Sequence, residues 1–256
     1  MCFDPDSEPP IMPLAGAAIE HRQVVLEAAD GNQLASFEAL PDRPASVGML
    51  VLPDVRGLFS YYEELALRFA EAGVAALAID YYGRTAGPSR RDASFDFAAH
   101  VPRSTWAGLQ ADVQAAAAHL RASAGVTTLY AVGFCYGGRL SLLLASLPDL
   151  TLDGVIGFYG WPVGTFRNDM PAPAEMAGSF GSRVLALFGG ADTGIPADDV
   201  AAFEQALVRA RVPHRVVTYP GAPHSFFDRK QAEYADASAR AWAEVRAFIG
   251  LETAAG

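Results

Sequence analysis

Six short stretches of the chain are almost continuously apolar: "VGMLVLPD" (47–54), "GVAALAID" (73–80), "TTLYAVGF" (127–134), "LDGVIGFYG" (152–160), "RVLALFGG" (183–190) and "HRVVTYPG" (214–221). Strands that read this way are buried on both faces, the condition of a parallel sheet covered by helices. Helical periods fill the gaps between them, at 60–72, 104–123, 137–147, 197–210 and 232–249. Strand and helix therefore alternate, which predicts an α/β fold with a mostly parallel sheet flanked by helices. Ahead of them, "QVVLEAADGNQLASFEAL" alternates in polarity around Asp30-Gly31 and predicts an antiparallel N-terminal hairpin at one sheet edge. Residues 1–18 hold four prolines and no hydrophobic period, so they are expected to form an extended tail before a single domain at 19–256. Two connections, 83–103 and 160–182, are long enough to be functional loops.

Charge narrows the partners. The net charge is −10, Lys230 is the one lysine, and no basic run exceeds "SRR" at 89–91, so the electrostatic footprint of a nucleic-acid binder is missing. The start, "MCFDPDSEPP", is acidic, and no stretch approaches 18 uninterrupted apolar residues. A cytoplasmic protein with no membrane partner and no evident obligate protein partner is expected. Cys2 and Cys135 are the only cysteines, which leaves neither a disulfide framework nor a thiolate-rich metal cage.

Cys135 stands in "GFCYG", residues 133–137, between an apolar strand and the helical run "GRLSLLLASL". That is the G-x-nucleophile-x-G spacing of a nucleophile elbow. The central residue is held in a strained backbone conformation, and side chains two positions away would collide, so Gly133 and Gly137 supply clearance. The turn falls at the carboxyl end of a strand, where the following helix N-terminus favours negative charge and thus a thiolate. The competing reading makes Cys135 a small buried hydrophobe and the two glycines helix-to-strand packing.

Of five histidines, His119 lies in a helical period and His21 ahead of the first hairpin strand. His214 precedes the run "RVVTYPG", whereas His224 follows it and so shares the rim with Cys135. His100, in a long loop, stays an outside candidate. Asp192 in "FGGADTGIP" likewise follows a strand, while Asp198 and Asp199 belong to the first turn of the next helix and Asp153 opens a strand. The order nucleophile, acid, histidine is that of an α/β-hydrolase triad. In it Cys135 attacks, His224 moves the proton and Asp192 orients the imidazole.

With these residues in place the chain resembles the dienelactone hydrolase family of α/β hydrolases, whose nucleophile is a cysteine. The resemblance runs from about residue 45 to 248 and rests on "LPDVRGL" (52–58), "IDYYGR" (79–84), "GFCYGG" (133–138), "GGADTGIP" (189–196) and "GAPHSFFD" (221–228). It implies hydrolysis of a small ester or lactone, typically one carrying a carboxylate, with no metal or organic cofactor. It implies an oxyanion hole from the backbone N–H groups of Tyr136 and Val55, each donor worth about 10²–10³ in rate. It also implies a catalytic acid beside the nucleophile, here Asp54, and a substrate carboxylate bound by Arg84 with help from Ser225. The second arginine of that pocket is replaced by Asp228, with Arg229 one step on.

Alternatives stand beside several of these roles. Arg84 either binds substrate or pairs with a loop acid such as Asp92 or Asp96, and Ser225 either binds substrate or caps a turn. Arg56 either neutralises Asp54 or reaches the substrate. Tyr82, Tyr136 and Trp161 either line an aromatic pocket or pack. At the level of function, a thiol esterase or lactonase competes with a reversibly oxidised thiol sensor and with a non-catalytic binding module.

Overall fold

β-branched and leucine side chains dominate the apolar runs, and in the computed structural model all six runs are strands. The structure describes residues 3–4 and 6–251; Cys2 lies outside the described residues. The strands are β1 (Ile19–Glu27), β2 (Gln33–Pro41), β3 (Val47–Leu52), β4 (Ala75–Ile79), β5 (Thr128–Phe134), β6 (Gly154–Phe158), β7 (Arg183–Gly189) and β8 (His214–Tyr219). They form one sheet in the order β1-β2-β4-β3-β5-β6-β7-β8. β1 and β2 are the expected antiparallel hairpin, β2 meets β4 antiparallel, and every later pairing is parallel. This is an α/β-hydrolase arrangement.

Five principal helices cover the sheet: α1 (Ser60–Glu71), α2 (Trp106–Ala124), α3 (Tyr136–Leu144), α4 (Ala197–Ala210) and α5 (Ala235–Phe248). β3, β4, β5, β6 and β7 carry an almost unbroken series of buried residues, as a doubly covered strand must. β8 departs from that expectation. It is the last strand of the sheet, and most of its residues are only partly buried or exposed despite the apolar run. α2 starts with Thr105 capping the Gly108 N–H and ends at Gly125 in the left-handed conformation, so local chemistry fixes both of its limits.

Parallel register brings the carboxyl ends of β3, β5, β6, β7 and β8 to one rim. Leu52 pairs with Gly133, Gly133 with Gly157, and Phe158 with Leu187. Residues 53–59, 135–139, 159–171, 190–196 and 220–231 all leave the sheet on that side, which is where ligands bind in open α/β sheets. Among the described residues no helix is long and apolar enough to cross a membrane.

Among the described residues the segment before β1 holds no helix or strand, turns at Asp4–Ser7 and Leu14–Ala17, and is docked on the domain. Phe3 is buried and stacks on Tyr61 with ring centroids 4.1 Å apart. Glu8 N–H donates to Asp228 Oδ1 at 3.1 Å, and Arg229 N–H donates to the Glu8 carbonyl at 2.9 Å. Ion pairs from Arg229 to Glu8 and from Lys230 to Asp6 complete the strap.

Candidate active site

Cys135 joins β5 to α3 with φ 56° and ψ −109°, a conformation an L-residue adopts only under constraint. The constraint is visible in its neighbours. A Cβ on Gly133 would stand 1.9 Å from the Gly137 carbonyl oxygen, and one on Gly137 would stand 2.2 Å from the carbonyl oxygens of Leu52 and Pro53. The glycine spacing is therefore a steric requirement. Cys135 N–H is tied to the Phe158 carbonyl at 3.0 Å, which fixes the elbow to the end of β6.

Asp192 leaves the end of β7 and His224 follows β8. His224 Nδ1 lies 2.6 Å from Asp192 Oδ2, and Asp192 Oδ1 accepts the Gly194 N–H at 2.9 Å. The two loops are stitched by Ala191 N–H to the Ala222 carbonyl at 2.9 Å. The imidazole sits against Tyr159 and Trp161, each ring centroid 4.9 Å away. Its Nε2 is buried and has no hydrogen-bond partner among the described residues.

Cys135, Asp192 and His224 open onto one cleft of about 1180 Å³. Of the other expected positions, Val55, Arg56, Trp161 and Ser225 line it too. Ser225 is buried with φ 59°, a strained residue directly beyond the histidine. Phe3, Phe97, Thr165, Phe166 and Arg167 also line the cleft and were not singled out from sequence. Phe97, Phe166 and Arg167 come from the two long connections, a signal that pointed to their loops without choosing the residues. Nothing in the sequence marked Phe3.

The loop after β3 is tightly held. Asp54 N–H donates to Tyr62 Oη at 2.8 Å, and the Asp54 carbonyl accepts the Gly57 N–H at 3.1 Å. Tyr82 Oη donates to the Val55 carbonyl. Both peptide planes around Val55 are thus oriented from behind. The Asp54 carboxylate is fully buried and outside the cleft lining, because Arg56 closes over it: Nη2 to Oδ2 at 3.0 Å, and Arg56 N–H to Oδ1 at 2.8 Å. Arg56 in turn stacks on Phe59, 4.4 Å from the ring centroid.

Several expectations need correction. Arg84 does not reach the cleft. Its guanidinium pairs with Asp112 at 2.8 Å, with Asp30 of the β1–β2 turn, and with the Gly108 carbonyl at 3.1 Å, so neither Asp92 nor Asp96 is its partner. Tyr82 is buried behind the Val55 loop rather than on the cleft surface. The Tyr136 side chain is also turned away: its hydroxyl meets Ser104 Oγ at 2.9 Å and Asn168 Nδ2 at 3.1 Å, and burial pushes its pKa well up. Arg229 is engaged by Glu8 and does not line the cleft either. His100 packs on Phe95 and meets Thr85, away from the cleft.

Residues 34–252 match the family model described as "Dienelactone hydrolase family". The chain belongs to the dienelactone hydrolase family. A Synechocystis sp. protein provisionally named carboxymethylenebutenolidase is 30% identical over 243 residues, covering 86% of this chain and 92% of that one. A Salmonella typhimurium protein of the same provisional name is 31% identical over 226 residues, covering 82% and 79%. A solved Klebsiella pneumoniae structure, provisionally named dienelactone hydrolase, superposes with a TM-score of 0.80 at 27% identity, covering 91% of this chain and 99% of that one. This member of the dienelactone hydrolase family is accordingly an enzyme, a hydrolase.

Proposed function

We propose that the enzyme cleaves a carboxylic ester or lactone through a thioester on Cys135, with His224 as proton carrier and Asp192 as its orienting acid. The observation that carries this reading is the histidine: Nδ1 is engaged by Asp192 at 2.6 Å, while Nε2 is buried, without a partner among the described residues, in the cleft that Cys135 also lines. Asp192 favours the tautomer protonated on Nδ1, which leaves the Nε2 lone pair as a base.

The thiol proton passes to Nε2 as sulfur bonds to the substrate carbonyl carbon and the C=O π pair moves onto oxygen. The oxyanion is received by the N–H groups of Tyr136, at the start of α3, and Val55, whose flanking peptides are braced as described. Collapse expels the alkoxide, which takes the proton from Nε2 and leaves a thioester. Water then attacks, gives a proton to Nε2, and the thiolate departs and recovers that proton. With a lactone the expelled alkoxide stays tethered to the acyl group.

The cation that faces the cleft and is bonded to Asp54 is Arg56, with Arg167 on the opposite loop. A substrate carboxylate is therefore bound by Arg56 rather than Arg84, beside Ser225. Exchange of Asp54 for the substrate carboxylate on Arg56 frees Asp54 to carry the thiol proton toward His224 Nε2. Mass spectrometry of the enzyme quenched during turnover of an aryl ester tests the core of this reading. The expected result is one acyl group on the Cys135 peptide, absent in Cys135→Ala. An acyl group on a serine, or full activity in Cys135→Ala, rejects it.

A further inference from the structure

Arg139, four residues after Cys135 on α3, is fully buried, and no carboxylate lies within bonding distance of it among the described residues. An uncompensated buried charge is costly, so it persists only where hydrogen bonds satisfy it. Here the partners are backbone carbonyls. Nη1 donates to Trp161 O at 3.1 Å and Val163 O at 3.3 Å; Nη2 donates to Gly164 O at 2.8 Å, Met170 O at 3.2 Å and Pro171 O at 2.8 Å. All five acceptors belong to the loop that leaves β6. Burial lowers the Arg139 pKa to about 10, which leaves it a cation at neutral pH.

Five carbonyl dipoles aimed at one point repel each other unless a cation sits there. Arg139 is that cation, and its planar fork serves several acceptors where an ammonium, a point charge on a flexible stem, does not. The approach is prepared by glycine: a Cβ on Gly160 would lie 2.3 Å from Arg139 N, so only glycine lets the loop start this close to α3. The loop so gathered supplies Trp161, Thr165, Phe166 and Arg167 to the cleft. Trp161 carries the coupling further, with its ring against His224 and its Nε1 donating to Gly194 O at 2.8 Å.

We propose that Arg139 is a positioning residue for substrate selection: from the nucleophile helix it folds residues 161–171 into the wall against which bulky esters bind. The inference rests on the ester-cleaving reading of the cleft. It makes Arg139 neither a contact to substrate nor a proton carrier.

The test is the ratio of kcat/KM for an ester bulky at both ends, 4-nitrophenyl 3-phenylpropanoate, to that for one small at both ends, ethyl acetate. A general loss of folded enzyme lowers both terms and leaves the ratio alone. Arg139→Lys, which keeps the charge and loses the fork, is expected to lower the ratio about tenfold, as is Phe166→Ala, the scale of one lost apolar contact in a substrate pocket. The double variant should fall no further than either single one, because both remove the same wall. If Arg139→Lys does not fold, Arg139→Gln replaces it, and the Phe166→Ala arm still decides whether the loop is the wall. A ratio unchanged in Phe166→Ala, unchanged in the Arg139 variant, or lowered independently by the two overturns the proposal. A wild-type enzyme inert toward both esters overturns the underlying ester-cleaving reading instead.

Discussion

Arg56 lies across Asp54 as a lid lies on a box: the carboxylate has no exposure, and the guanidinium that bonds it at 3.0 Å forms part of the cleft wall. One arginine thus has two claimants, the buried acid behind it and any anionic substrate in front. Arg84, by contrast, is committed to Asp112 and Asp30 and does not line the cleft. Arg56→Ala is expected to lower kcat/KM for a carboxylate-bearing ester about ten- to a hundredfold relative to a neutral aryl acetate, the value of a charge-assisted hydrogen bond. Arg84→Ala should lower both equally. Kinetics on matched esters with and without the carboxylate check this; the opposite pattern would return the anion site to Arg84.

On the proposed exchange at Arg56, thiol ionisation is expected to depend on occupancy. An ordinary thiol, with a pKa near 8.5, is only a few per cent thiolate at pH 7. A ligand carboxylate that takes Arg56 releases Asp54, which can then accept the thiol proton ahead of its transfer to His224 Nε2. Alkylation of Cys135 by iodoacetamide should therefore be slow in the unliganded enzyme and accelerated by a small non-hydrolysable carboxylate. Asp54→Asn should lose the acceleration. Fast alkylation of the unliganded wild type at pH 6 to 7 would mean that His224 alone preforms the thiolate.

The strand runs, the helical periods and the elbow were legible because each rests on local rules: burial on both faces, a repeat of 3.6, and clearance at Gly133 and Gly137. His224 and Asp192 were legible because a residue just after a parallel strand must emerge on the same rim as Cys135. Arg84 was misplaced for a different reason. A side chain with four rotatable bonds chooses among partners that tertiary structure brings near, and Asp30 and Asp112, 54 and 28 positions away, leave no mark in the local sequence. Phe3 leaves no mark for a similar reason, since it lies in a proline-rich segment with no period to read and its partner Tyr61 is distant in the chain.

Asp112 offers a pH signature. Burial pushes its carboxyl from 3.8 up to about 6, against the pull of Asn32 and Arg84. Between those values the folded protein binds more protons than the unfolded chain, so this group's contribution is fully present below pH 3.8 and is lost as pH rises through 6. The wild type is thus expected to lose up to about 3 kcal/mol from this source between pH 4 and 7. Asp112→Asn does not titrate, so its stability relative to wild type should improve across that interval. Urea denaturation at pH 4, 5, 6 and 7 measures the difference; a constant offset would show that Asp112 stays ionised throughout.

The N-terminal strap makes the final prediction. Phe3 is held in the ring cluster of Tyr61, Phe134 and Tyr159 and also lines the cleft, so it is both anchor and wall. Besides the two backbone hydrogen bonds at Glu8, the other ties of the strap are the ion pairs of Glu8 with Arg229 and Asp6 with Lys230, whose substantially exposed side chains contribute little on their own. Losing the ring should consequently undock the segment rather than leave a cavity in a rigid core, and the cost is limited to the docking free energy. Phe3→Ala is expected to speed proteolytic cleavage within residues 6–16, lower Tm only slightly, and raise KM for a neutral ester by about tenfold as one wall of the cleft is lost. Limited proteolysis and kinetics on the same preparation check both effects. Faster cleavage with an unchanged KM would show that the strap covers the rings without shaping the cleft.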